Sequence, residues 1–339
     1  MDKSYFRIVL INVDNGSWTN PISVSNGNDV TITGETISTP KDASAYRGLY
    51  SNFVNAIDGE CFVFFSDPHN LGAVNEYEAE KVLKFRDVIS DAYNKTSASF
   101  VVSGGDWLNS GDTQAFACEK LGYLTGVMRE KFPFYNVVGN HDTNYQGVVS
   151  ASDPTRGDLT NECMSAIMFR KYGHNYYAFD GDNSRCYVFD TGIDWEWQMT
   201  DYRWEQIDWF ANSLINDDPQ HGIVFMHIAF IDYQTLDVTQ KSMLCENIGG
   251  IINAYNSKTT VTTNGKTYDF INCTGRVWFA LCGHVHADIS DTIGGVPLVT
   301  TRNVYNNDVI SFDVCYADFA YRKLQMFRTG KGQYREFNI

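Results

Sequence analysis

The chain has no apolar stretch long enough to cross a bilayer, no C-x-x-C pair among its eight cysteines, and only seven prolines in 339 residues. The first absence argues against a membrane-spanning helix. The N-terminal run is also too short for the h-region of a signal peptide. The second leaves free, mostly buried thiols as the expectation. The third, with no long Gly/Ser, acidic or basic tract, argues against an extended linker and for one main domain carrying insertions. Positive charge is scarce too: 26 Lys and Arg stand against 41 Asp and Glu, a formal charge of -15 and a pI near 4.8. Such a surface repels polyanions, so nucleic acid and anionic membranes are not expected partners. With no signal-peptide pattern visible and no paired cysteines, the cytoplasm is the expected compartment.

Two regions read differently. Residues 1–55 form a β-rich leader, strand-like over 6–11 and 30–32 and broken by turns such as Asn26-Gly27-Asn28. An edge hairpin or meander laid on the main domain is the simpler role for it. Residues 56–339 alternate short apolar strands with helices, the pattern of an α/β or layered α+β domain. Val82, Phe85, Ile89 and Ala92 predict a helix over 76–95. Ala117, Leu121, Leu124 and Met128 predict another over 113–131, and a third is expected over 201–214. Strands are predicted over 61–66, 100–103, 135–138, 187–190, 223–226 and 277–281. Beyond 286 only strands and turns are expected, with hairpins at Gly294-Gly295 and, earlier, at Asn264-Gly265.

The chemistry-bearing residues stand where these strands end. Asp67 and His69 follow Phe64-Phe65, Asp106 follows Val101-Val102, and Asn140 with His141 follows Val137-Val138. His227 follows Phe225-Met226, and His284 with His286 follows Leu281. Ligands of α/β sheets bind beyond the carboxyl ends of strands, so these side chains are expected at one rim. Five of the seven histidines fall in these segments, which a random scatter would rarely produce. A D-x-H or H-x-H alone is weak evidence; the order of the pieces is what carries weight. Mixed nitrogen and oxygen donors without thiolate suit manganese, iron or zinc better than calcium. Asp106, set between Gly104-Gly105 and Trp107, is the natural carboxylate to bridge two ions.

Ser66-Asp67-Pro68-His69, Gly104-Gly105-Asp106, Gly139-Asn140-His141-Asp142, Met226-His227 and Gly283-His284-Val285-His286 resemble, in order, the five signature blocks of the calcineurin-like metallophosphoesterases. Tyr176-Tyr177-Ala178-Phe179-Asp180 and Gln206-Ile207-Asp208-Trp209 also resemble family segments. The resemblance spans about residue 61 to beyond 286 and leaves the leader outside. It implies a four-layer αββα sandwich of two mixed β-sheets flanked by helices. It also implies two divalent or trivalent metal ions, one held by Asp67, His69, Asp106 and His286, the other by Asp106, Asn140, His227 and His284. The implied reaction is hydrolysis of a phosphomonoester or phosphodiester by a hydroxide between the ions. His141 is then the acid or charge stabiliser for the leaving group, with Asp142 holding its ring.

Other features have plainer readings. His174 and His221 sit in turn-like contexts and are expected to be solvent-facing or structural and not ligands. Trp195, Trp197, Tyr202, Trp204 and Trp209 are expected in core packing before any ligand pocket. Arg302 is near the motifs, yet nothing in the sequence aims it at a phosphate. Ile228-Ala229-Phe230 replaces the proline that many family members carry after the histidine, so the loop over 231–246 is expected to run differently. A rival reading is a catalytically silent metal-binding module of a larger assembly; the retained His141 and complete ligand set argue against it.

Overall fold

The computed structural model of the chain describes residues 6–8, 11–12, 17–18, 22–24, 59–69, 79–144, 159, 161–167, 174–192, 199–230, 240–306 and 309–339. In the leader, β1 (Phe6–Ile8) pairs antiparallel with β4 (Ile22–Val24), and β2 (Ile11–Asn12) pairs with β3 (Ser17–Trp18). The strand expected over 30–32 lies outside the described residues, as does most of the loop after Phe230.

Two six-stranded sheets make the body. In the first, β5 (Gly59–Phe65), β6 (Phe100–Ser103) and β7 (Phe134–Asn136) run parallel. The second begins with β8 (Tyr177–Asp180), antiparallel to β9 (Arg185–Val188), and continues through β10 (Gly222–Phe225), parallel to β9. After the small hairpin of β11 (Thr260–Thr263) and β12 (Lys266–Asp269), β13 (Val277–Cys282) joins parallel to β10. A hairpin of β14 (Ser290–Ile293) and β15 (Val296–Thr300) completes that sheet, β15 parallel to β13. The short pair β16 (Tyr305–Asn306) and β17 (Val309–Ile310) leads back to the first sheet. That sheet ends in the antiparallel strands β18 (Phe312–Asp318), β19 (Lys323–Thr329) and β20 (Arg335–Asn338).

Period-two alternation distributes the apolar residues of the central strands among three cores. Phe62 and Phe64 of β5, Phe100 and Val102 of β6, and Ile223 and Phe225 of β10 point into the layer between the sheets. Val63, Phe65 and Val101 point the other way, onto α1 (Ala79–Thr96), α2 (Gln114–Arg129) and α3 (Asn161–Ile167). Val224, Ala280 and Cys282 pack beneath α4 (Asp201–Asp217) and α5 (Met243–Ser257). Strands buried on both faces read as unbroken apolar runs, which is why Phe-Val-Phe-Phe and Val-Trp-Phe-Ala-Leu-Cys show little alternation. The result is the αββα sandwich. Thr113, Thr200 and Ser242 cap the N-termini of α2, α4 and α5 with their hydroxyls, each cap worth about 1 kcal/mol. Among the described residues no helix is long and apolar enough to cross a membrane.

Candidate metal centre

Parallel strands of both sheets deliver their carboxyl ends to one rim. Backbone geometry there is unusual: Asp67, His69, Asp106, His284 and His286 all have positive φ, between 41° and 72°. Such backbones cost roughly 1–3 kcal/mol each in non-glycine residues and persist where the surroundings dictate them. Gly105 has φ +100°, and a Cβ there would meet the Gly139 nitrogen and His227 Nδ1 at 2.8 Å, so only glycine lets the Asp106 loop sit against both.

All seven sequence-predicted ligands come together. His286 Nε2 lies 3.2 Å from Asp67 Oδ1, and His227 Nε2 lies 3.1 Å from Asp106 Oδ2. Asn140 Oδ1 is 3.2 Å from His227 Nε2 and 3.0 Å from His284 Nδ1. His69 Nε2 and His286 Nε2 face each other at 3.0 Å. Three sets of donors, Asp67/His69/His286, Asp106/His227/His284 and His69/Asp106/His141, each fall within 4.8 Å of one another. Asp67, Asp106, Asn140 and His227 are buried, whereas His69, His141 and His286 open toward solvent. Outward nitrogens are held from behind: His227 Nδ1 by the Gly104 carbonyl at 2.6 Å and His69 Nδ1 by the Leu108 carbonyl at 3.2 Å. Those contacts fix each tautomer and turn the other nitrogen into the cluster.

Charge is balanced within the cluster. Burial opposes ionisation of Asp106 and Asp67, but the nearby imidazoles outweigh it and hold both carboxyls below the usual range. Burial would lower His227, yet Asp106 raises it to about 9. Burial and the neighbouring His227 charge push His284 down to about 4. Nearly solvent-free carboxylates facing imidazole and amide donors, with ring nitrogens turned on each other, are a donor set that fits cations.

One expectation needs correction. Asp142 does not hold the His141 ring: its carboxylate accepts backbone N–H bonds from Asp106 (2.9 Å), Trp107 (2.7 Å), Leu108 (3.1 Å) and Gly139 (3.0 Å). A fully buried carboxylate among four inward N–H groups takes them in preference to a half-exposed ring. Burial and the Asp106 charge push the Asp142 carboxyl up, and these N–H donors oppose the shift. The His141 ring is oriented instead by the Asn109 carbonyl and Ser110 Oγ, each 3.1 Å from Nδ1. Neither was singled out in the sequence, where a serine four residues past Asp106 carries no distinguishing pattern.

The remaining histidines lie elsewhere. His221 stacks on Phe319 at 3.9 Å and His174 packs edge-on against Tyr176. Tyr202 donates to Asp190 and Trp209 packs among Tyr187, Phe189 and Phe210, as core residues should; Trp195 and Trp197 lie outside the described residues. Arg302 pairs with Asp288, two residues beyond His286.

With the rim and its donors defined, the chain's class follows: residues 62–311 match the family model described as calcineurin-like phosphoesterase, and the protein belongs to that family. Phosphoester hydrolysis with metal dependence is the family's general chemistry. Among solved structures it is similar to a dimetal phosphatase from Danio rerio, at 12% identity, TM-score 0.51, with 82% of this chain and 98% of that one covered. It is also similar to a purple acid phosphatase from yellow lupin (Lupinus luteus) seeds, at 16% identity and TM-score 0.52. That alignment covers 85% of this chain and 55% of the lupin chain. At such identities these two likenesses concern the fold. No curated protein matches the sequence.

Proposed function

We propose that the chain is a phosphomonoesterase or phosphodiesterase working through a dinuclear metal centre. Asp67, His69, Asp106 and His286 would hold one ion and Asp106, Asn140, His227 and His284 the other, with manganese, iron or zinc suited to the donors. The observation that carries the reading is the convergence of seven donors from both sheets, with Asp106 Oδ2 within 4 Å of His69, His141 and His227. Two bound ions supply a water of lowered pKa and a positive field for the phosphoryl oxygens.

The protein groups do the rest. Asp106 Oδ1 accepts the His141 backbone N–H at 2.8 Å, fixing the loop that presents the His141 ring. Contact of Nδ1 with the Asn109 carbonyl leaves Nε2, 4.0 Å from Asp106 Oδ2, as the nitrogen that exchanges a proton. At that rim, half-exposed, Nε2 donates to the departing alkoxide. Residues 56–339 form the catalytic unit in this reading, and the leader stands outside it.

The test is hydrolysis of p-nitrophenyl phosphate and bis-p-nitrophenyl phosphate by metal-stripped protein, with manganese, zinc or iron restored. Activity should return with metal, and His141→Ala should lose about 10²–10⁴ in kcat while keeping its metal content. Inert protein that still takes up two ions per chain would refute the enzymatic reading and favour a silent metal-binding module. The faster ester distinguishes monoesterase from diesterase.

A further inference from the structure

Cys118 of α2 and Cys163 of α3 lie 45 residues apart in sequence, and their sulfurs touch at 3.1 Å. Both are half-buried thiols at the edge of the core beneath the first sheet. α3 is a single short element, and Leu159, two residues before it, donates its N–H to the Thr143 carbonyl, in the turn that carries His141 and Asp142. The chain between the two cysteines contains β7 and that turn. We infer that Cys118 and Cys163 are a redox modification site: a low-molecular-weight disulfide of the glutathione class converts them into a bond closing a covalent ring around the His141 turn.

The step balances as thiol–disulfide exchange. One cysteine sulfur, as thiolate, attacks the small disulfide and displaces one small thiolate, which takes up a proton. The second cysteine sulfur then attacks the protein sulfur of the mixed disulfide and displaces the other small thiolate, protonated in turn. Two protein thiols lose two electrons, and one small disulfide becomes two small thiols. Contact between the sulfurs makes the second step intramolecular with little rearrangement, so the mixed disulfide is short-lived. Burial and the adjacent Cys163 thiol push Cys118 up to about 12, so exchange is slow near neutrality and speeds up with pH. Closing a ring this long removes chain entropy from the unfolded state. This site does not depend on the metal-centre reading.

The experiment incubates the folded full chain with oxidised glutathione at about pH 9, blocks remaining thiols, and maps peptides without reductant. Expected are a peptide joining Cys118 to Cys163, a mass loss of two hydrogens, and a melting temperature raised by about 5 °C that dithiothreitol reverses. Cys163→Ser should show no cross-link and no rise, and should instead retain glutathione on Cys118. Separate glutathione adducts on both cysteines of the wild type, a link to any third cysteine, or a rise that persists in Cys163→Ser would overturn the inference.

Discussion

Replacing Arg328 by methionine should cost about 3–4 kcal/mol, because its guanidinium is the hub of a buried ion network. Nε and Nη2 each reach an oxygen of Asp313 at 2.8 Å, and Nη2 also donates to Asp288 Oδ1 and Thr301 Oγ1 at 2.6 Å. Asp313 is fully buried, and without Arg328 its carboxylate keeps, among the described residues, Arg335 Nη2 at 2.9 Å and the Thr301 hydroxyl. One surviving cation holds the cost at the lower end of the roughly 3–5 kcal/mol typical of a broken buried pair. With an unfolding entropy of about 0.7 kcal/mol/K for 339 residues, the melting temperature should fall by about 5 °C.

The loss should also depend on pH. Burial works against ionisation of Asp313, but Arg335 and Arg328 outweigh it and hold the carboxyl below its ordinary value. Stability from such a depressed group is fully present above the unfolded pKa and disappears as pH falls through the folded one. The gap between wild type and Arg328→Met should therefore be widest near pH 7 and narrow below about pH 4. Arg328→Lys should rescue little, since an ammonium cannot make the two-pronged contact with Asp313. Denaturant unfolding at both pH values is the assay. A cost below about 1 kcal/mol, or a gap unchanged in acid, would refute the reasoning.

Three further outcomes follow from the rim. Asp142→Asn can accept at only one oxygen where the carboxylate receives four backbone N–H groups, so stability should drop by about 2–4 kcal/mol and metal content should fall with it, read by calorimetry and elemental analysis. His227, raised to about 9 by Asp106 against the effect of burial, must shed its proton to act as a ligand. Metal affinity should consequently climb with pH up to that value, and titration calorimetry in two buffers of different ionisation enthalpy should show proton release at pH 7; none would count against His227 as a ligand. Gly105→Ala should lose activity and at least about 1 kcal/mol of stability, because its Cβ at φ +100° meets Gly139 and His227; normal activity would mean the loop has room to shift.

Much of this was legible in the sequence, for identifiable reasons. The central strands are short apolar runs that end in polar residues, so the residues of the rim could be named before their geometry was known, and the family resemblance then implied which seven of them are donors. Hairpins at Asn264-Gly265 and Gly294-Gly295 were readable because positive φ at both sites admits few residues. A helix limit moved by a few residues: α4 runs on to Asp217, past the expected 214, because the left-handed cap falls at Asp218. What the sequence hid was direction. Asp142 stands beside His141 in the chain but its carboxylate turns to the other side of the turn, and adjacency in sequence says nothing about which way two neighbouring side chains face. The Arg328 network was equally invisible, since its members come from positions 288, 301, 313, 328 and 335 with no local pattern.

The two sheets meet at this rim, and the donors are divided between them: Asp67, His69, Asp106 and Asn140 follow strands of one, His227, His284 and His286 strands of the other. Each proposed ion would draw ligands from both. Far from the rim, Glu60 of the first sheet accepts from Asn183 and Ser184 in the β8–β9 turn of the second, so the seam is already fastened at its opposite end. Chelation at such a centre and the mating of the two halves would therefore be one equilibrium. Under that proposal, whatever loosens the seam would lower affinity for the ions, and ions in excess would hold the sandwich shut by mass action.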